Sequence, residues 1–205
     1  MIKEFEKRLI TSLILIPISI FFIIKGSIFF IFFLSILLLA TIYEWVMMSK
    51  KNNFLKFLGI IFLLFSFYTA FEFRFNENYK DFLFIVTICI LTDIGGYIFG
   101  KIIKGKKLTK ISPNKTYAGM FGAYLTSLLF STIFFDNYFI FYKLISIIII
   151  SSTISQIGDI FISYLKRKNN FKDTGKLLPG HGGLLDRFDG IFFTIIIGST
   201  LKYIL

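Results

Sequence analysis

Asp186 and Asp189 stand three residues apart in a polar segment, residues 163–189, set between two runs of hydrocarbon side chains. At that spacing on a helix both carboxylates share one face, with Arg187 turned aside. A third acid, Asp159, ends the preceding apolar run. Asp159, Asp186 and Asp189 together offer only oxygen ligands. Such a set suits Mg²⁺, which takes one or two carboxylates and completes its shell with water and substrate phosphate. The same segment carries Lys166, Arg167, Lys168, Lys172, Lys176 and Arg187, enough positive charge for a polyphosphate. Gly182 and Gly183, beside His181, leave backbone amides uncovered before a helix start, where anions bind readily. His181 itself reads either as a hydrogen-bonded loop residue or as a proton donor to a leaving group.

A second polar loop runs Ser112-Pro113-Asn114-Lys115-Thr116-Tyr117-Ala118-Gly119. Ser112 before Pro113 reads as a helix start or as a phosphate contact. Lys115 and Thr116 offer a charge and a hydroxyl to the same kind of anion. Asp93 lies well inside an apolar run, where an ionised carboxylate costs roughly 3 kcal/mol. At helical spacing it shares a face with Gly96, Tyr97 and Gly100. That face reads as a substrate-binding surface, or as a packing face of small residues with one polar contact. Ser152, Ser155 or Gln156, Asp159, Ser163 and Lys166 follow at three- and four-residue steps, so one helix face is polar up to the basic segment.

The elements that must position these residues are helices in a membrane. Of 205 residues, 56% are hydrophobic, and the mean hydropathy is +0.77. The polar residues cannot cover that much apolar surface in water. Apolar runs near the roughly 20 residues that a bilayer requires fall at 9–24, 28–48, 54–71, 82–99, 117–135, 139–161 and 191–205. The expected fold is therefore all-α and polytopic, with about seven spanning helices. It forms a single integral-membrane domain over 1–205, in which 1–81 supply N-terminal helices and 82–205 the catalytic helices and loops. The first run follows Lys3, Lys7 and Arg8 but has no small-x-small cleavage site and contains Pro17, so it is kept as a helix. Cys89 is the sole cysteine, which excludes an internal disulfide. The 29 phenylalanines are read as compositional bias and packing surface.

Charge sets the expected orientation. With the N-terminus in the cytoplasm, eighteen of the 23 Lys and Arg residues fall on the cytoplasmic side, including both chemically rich loops. The net charge of +11 then reflects membrane insertion and attraction to anionic headgroups. Nucleic acid is not an expected partner, because the cations are spread over several loops. The sequence carries no signal for or against a homodimer.

On these residues the chain resembles the bacterial-type phosphatidate cytidylyltransferases, the CDP-diacylglycerol synthases. The segment Ser163-x-Leu165-Lys166-Arg167-x4-Lys172-Asp173-x-Gly175-x2-Leu178-Pro179-x-His181-Gly182-Gly183-Leu184-x-Asp186-Arg187-Phe188-Asp189 matches their signature at every defined position. Further matches are Arg8 with Pro17, Glu44-Trp45, Asp93 with Tyr97 and Gly100, and the loop from Ser112 to Gly119. Asn114 and Ala118 depart from that loop's pattern, where a lysine and a glutamate are common. The resemblance implies an enzyme of the cell inner (cytoplasmic) membrane, multi-pass, that uses CTP and phosphatidate among membrane lipids and requires Mg²⁺. It implies a metal set of Asp159, Asp186 and Asp189, with Asp93 as neighbour. Lys166, Arg167, Lys172 and Arg187 would neutralise phosphate charge, and Asp173 and His181 would join the catalytic group. Ser112, Lys115, Thr116, Ser163, Gly182, Gly183 and Asp93 would bind substrate. A phosphate monoester with a second pKa of about 6 is already ionised at neutral pH and needs no strong base. Two rival readings are a CTP-dependent polyprenol- or phytol-type lipid kinase and a secondary transporter using Glu44, Asp93 and Asp159.

Overall fold

A glycine at positive φ ends the first helix. Gly26 (φ 63°) separates α1 (Ile2–Lys25) from α2 (Ser27–Met48). Arg74 closes the break: its Nε donates to the Ile23 carbonyl at 2.7 Å and its Nη2 to Ile24 at 3.3 Å. Those carbonyls have no partner within their own helix, so a guanidinium satisfies them. The computed structural model describes residues 2–50, 52–109, 112, 115–134, 141–175, 177–178 and 182–204. Among them the regular elements are seven α-helices, continuing with α3 (Asn53–Asn76), α4 (Tyr79–Ile103), α5 (Tyr117–Phe134), α6 (Phe141–Lys168) and α7 (Leu185–Ile204). Four helices are long and apolar enough to cross a membrane, Ser27–Met48, Asn53–Asn76, Tyr79–Ile103 and Tyr142–Lys168; Leu13–Lys25 and Tyr117–Phe130 are shorter apolar stretches. The protein is an all-α membrane protein.

The chain folds as two compact units, Met1–Leu83 with Leu165–Phe188, and Phe84–Tyr164 with Asp189–Leu205. In the first, α2 and α3 pack through a stripe at helical spacing: Leu37, Thr41, Glu44, Trp45 and Met48 against Gly59, Leu63, Ser66, Phe67 and Ala70. Gly59 lies under the Trp45 indole, where any Cβ would collide with the ring. The indole N–H reaches the Leu55 and Lys56 carbonyls at 3.3 Å each. Asn52 caps α3 by accepting from the Leu55 amide at 3.1 Å. Phe82 meets Phe30 edge-on and Phe73 at a tilt, with centroids 5.6 and 5.7 Å away.

In the second unit, small residues let helices approach closely, as is usual for membrane helices, which gain no hydrophobic drive from lipid. Gly95 of α4 packs on Thr126 and the Gly122 carbonyl of α5, and Gly96 and Gly100 face Gly119. Thr92 hydrogen-bonds Ser127 and Ser152, each at 2.9 Å, which ties α4, α5 and α6 together through hydroxyls. Gly158 of α6 lies against the Phe193 ring and the Asp189 carbonyl of α7, and Gly190 lies against Ser155.

Candidate active site

In the second unit, the glycine contacts between α6 and α7 determine where two acids meet. Gly158 precedes Asp159 and Gly190 follows Asp189. A Cβ on Gly158 would fall 3.1 Å from the Asp189 carbonyl, and one on Gly190 would fall 2.5 Å from the Ser155 hydroxyl. With neither present, the Asp159 and Asp189 carboxyls come within hydrogen-bonding distance, and Asp93 is near enough to add its field. Asp189 is only 5% exposed and accepts the Gly190 amide at 2.9 Å. Two carboxylates this close repel each other, and a cation placed beside them relieves that repulsion.

One cation reaches this pair. The Lys115 ammonium bonds Asp159 Oδ2. Its backbone is fixed by a short antiparallel pairing, in which the Leu108 amide donates to the Lys115 carbonyl at 2.7 Å and the Tyr117 amide to Lys106 at 3.1 Å. The Lys115 amide also donates to the Ser112 carbonyl at 3.0 Å. This pairing corrects the expected helix start at Ser112. Helix α5 begins at Tyr117, and Thr116 caps it by accepting the Gly119 amide at 3.1 Å. Ser112 instead donates its amide to Thr109 Oγ1 at 3.1 Å. The face expected to join Asp93, Gly96, Tyr97 and Gly100 also divides. The two glycines face Gly119, whereas Tyr97 is exposed and meets Lys101. Ser163 stands half-buried on α6.

The first unit holds the remaining described residues named from the sequence. Lys166 Nζ donates to Asp186 Oδ1 at 2.7 Å. Asp186 Oδ2 accepts the amides of Thr174 at 2.8 Å and Gly183 at 3.1 Å. Leu178 and Gly182 pair in both directions, at 3.0 and 3.2 Å, with Gly182 at φ 87°. Arg167 donates to the Phe171 carbonyl at 3.3 Å, and Lys172, Asp173 and Arg187 are exposed. His181 lies outside the described residues, as do Pro113, Asn114, Lys176, Pro179 and Gly180.

The amides and the carboxylate of this segment are engaged within the protein. Gly182 and Gly183 were to turn free amides to a substrate phosphate, but those amides are already taken, by the Leu178 carbonyl and by Asp186. The next two, of Leu184 and Leu185, go to Glu44 at 2.9 and 2.8 Å. Carboxylates of the protein itself thus fill the anion-binding start of α7. Asp186, expected as a metal ligand with Asp159 and Asp189, has its Oδ1 on the Lys166 ammonium and its Oδ2 on the Thr174 and Gly183 amides. Among the described residues no group of three His, Cys, Asp or Glu side chains is arranged to hold a metal ion.

The sequence reading did not single out Thr174, Gly158 or Gly190 as parts of a site, and it named Glu44 only as a family match and as a carrier in the rival transporter reading. The glycines had a signal, a small residue next to an acid on each of two apolar helices. Glu44 had one too, as a carboxylate near the end of an apolar run.

A family model described as the cytidylyltransferase family matches residues 54–205. A phosphatidate cytidylyltransferase of Rickettsia bellii is 32% identical over 200 residues, covering 91% of this chain and 86% of the relative. Its counterpart in Rickettsia felis is 34% identical over 199 residues, covering 91% and 87%. One from Staphylococcus epidermidis is 42% identical over 124 residues, covering 58% of this chain and 48% of its own.

Proposed function

Because the chain belongs to the cytidylyltransferase family, we propose that it transfers the cytidylyl group of CTP to phosphatidate, giving CDP-diacylglycerol and pyrophosphate. A phosphate oxygen of the lipid attacks the α-phosphorus of CTP. The bond to the bridging oxygen breaks, and its electron pair leaves with pyrophosphate. The nucleophile is already ionised, so the protein's task is to hold anions together and stabilise the charge that builds up. The observation that carries this reading is the pairing of buried Asp189 with half-buried Asp159, with Lys115 on the latter.

That pair fits Mg²⁺, since two adjacent carboxyls, holding one backbone amide and one ammonium between them, match the one or two carboxylates this ion uses beside substrate phosphates. A divalent ion there would neutralise triphosphate charge. Asp159 and Asp189 would hold it, and Asp93 would deepen the negative field that draws it in. Lys115, on leaving Asp159, has the reach and charge to take a phosphate oxygen of the nucleotide. In the other unit, Lys166, Arg167, Lys172 and Arg187 supply cationic side chains for phosphate. Asp186 holds the Lys166 ammonium and the backbone of Thr174 and Gly183 in place and is assigned no metal.

The reading includes orientation. The distribution of lysine and arginine supports an N-terminus and both polar loops in the cytoplasm, with the helices in the cytoplasmic membrane. Purified protein in phosphatidate-containing micelles, given CTP labelled in the cytidine, should yield a cytidine-bearing lipid and pyrophosphate, with no turnover once EDTA removes divalent ions. A phosphorylated lipid with free CDP would instead establish a kinase. Turnover that persists in EDTA would remove the metal from the proposal.

A further inference from the structure

Helix α7 starts after a residue with no polar side chain. The residue before it is Leu184, whose side chain cannot accept the free amides of the first turn. The acceptor comes from α2, about 140 positions earlier. Glu44, 1% exposed, accepts the Leu184 amide on Oε1 at 2.9 Å and the Leu185 amide on Oε2 at 2.8 Å. Oε2 also accepts the Thr174 hydroxyl at 3.1 Å. The segment closes on the carboxylate because it has glycines where it passes: a Cβ on Gly183 would lie 2.6 Å from Oε2, and one on Gly175 would collide with Oε1.

The residues Glu44 fixes are the ones that orient Asp186. Thr174 gives its hydroxyl to Glu44 and its amide to Asp186. Gly183 gives its amide to Asp186, and the next two amides go to Glu44. Asp186 in turn holds Lys166. Two carboxylates therefore share one short stretch of backbone, and the position of the Lys166 ammonium depends on both.

We infer that Glu44 is a positioning residue for cytidylyl transfer, setting the first turn of α7 and Thr174 so that Asp186 presents Lys166 to a phosphate group. This rests on the function proposed above. Glutamine has nearly the shape of glutamate but turns an NH₂ toward amide donors, so at least one of the three hydrogen bonds becomes a donor–donor contact. A preorganised charge lost from the reacting geometry lowers turnover more than ground-state binding.

The test compares Glu44→Gln, Thr174→Val and Thr174→Ser in the purified full chain, assayed with CTP and phosphatidate and followed in parallel by hydrogen exchange. Glu44→Gln should lose about 10- to 100-fold in kcat, with KM for CTP shifted less than about threefold. Thr174→Val should show the same pattern more weakly, and Thr174→Ser, which keeps the hydroxyl, should recover the lost turnover. Peptides covering 174–186 should exchange faster in Glu44→Gln and Thr174→Val, while those from α5 stay as in wild type. Wild-type kcat in folded Glu44→Gln, or unchanged protection of 174–186, overturns the inference. If Glu44→Gln does not fold, the Thr174 pair decides, and equal kcat for Val and Ser is the overturning result. A wild-type protein that makes no cytidylyl lipid defeats the proposed function instead, and the exchange data still report on the Glu44 clamp.

Discussion

Glu44 and Asp189 are both acids buried to within a few per cent, in different units, and their surroundings are opposite in kind. Glu44 is surrounded by donors, two backbone amides and a hydroxyl. Asp186, in the same unit, is surrounded in the same way by an ammonium and two amides. Among the described residues, Asp189 accepts the Gly190 amide and faces a second carboxyl, and the Lys115 ammonium bonded to that pair is on Asp159. A carboxylate saturated with donors is stable as it stands and holds a structure in place. A pair of acids short of donors is unstable as it stands, and a cation relieves it. Counting donors separates acids that build from acids that bind.

The largest effect should come from the pair. Asp159→Asn or Asp189→Asn should reduce cytidylyl transfer by about 10³-fold or more, as for loss of a principal electrostatic element, while thermal denaturation shows a Tm no lower than wild type. A marked fall in Tm would mean that the pair also holds the fold together, and the contrast would fail. Asp186→Asn should do the reverse in part. It should cost about 1–3 kcal/mol of stability, because a half-buried ammonium and two amides lose their shared acceptor, and reduce turnover by about 10²-fold. If it matched Asp189→Asn in activity at full stability, the two kinds of acid would not differ as argued.

Smaller changes sharpen the comparison. Lys115→Ala should raise KM for CTP by roughly 10-fold, the value of one charge-assisted hydrogen bond, and steady-state kinetics at saturating phosphatidate would measure it. Gly190→Ala should lower turnover severalfold by pushing α7 off Ser155, on the order of 1 kcal/mol of overpacking strain; an unchanged rate would show that the two acids tolerate separation. Thr116→Ala should cost about 1 kcal/mol through the lost cap of α5, visible in Tm and scarcely in kcat.

Much of this fold could be read from hydropathy. An apolar run at 28–48 became α2 (Ser27–Met48), and one at 54–71 lies within α3 (Asn53–Asn76). The errors lie at helix ends and have one cause. Hydropathy stops where side chains turn polar, but the backbone ladder continues, so α6 extends past 161 to carry Lys166 and Arg167 in its last turn. The start of α5 at Tyr117 agrees with the apolar run at 117–135, and the pairing of 106–108 with 115–117 holds the chain out of helix just before it. For the site, Asp93 and Asp159 stood out since ionisable groups in apolar runs are expensive, and Asp189 through its three-residue spacing from Asp186 in the polar segment. What each acid would bond could not be read. Glu44 and Leu185 lie 141 positions apart, and nothing local to either residue encodes the other.

The chain has a single tryptophan, and it is Trp45, the neighbour of Glu44, 3% exposed over Gly59 with its N–H on the start of α3. Nature has thus placed one fluorophore beside the clamp. Its emission should be blue-shifted and poorly quenched by acrylamide, and it should respond when Glu44 lets go, so the state of that junction can be followed by light in unlabelled protein during turnover.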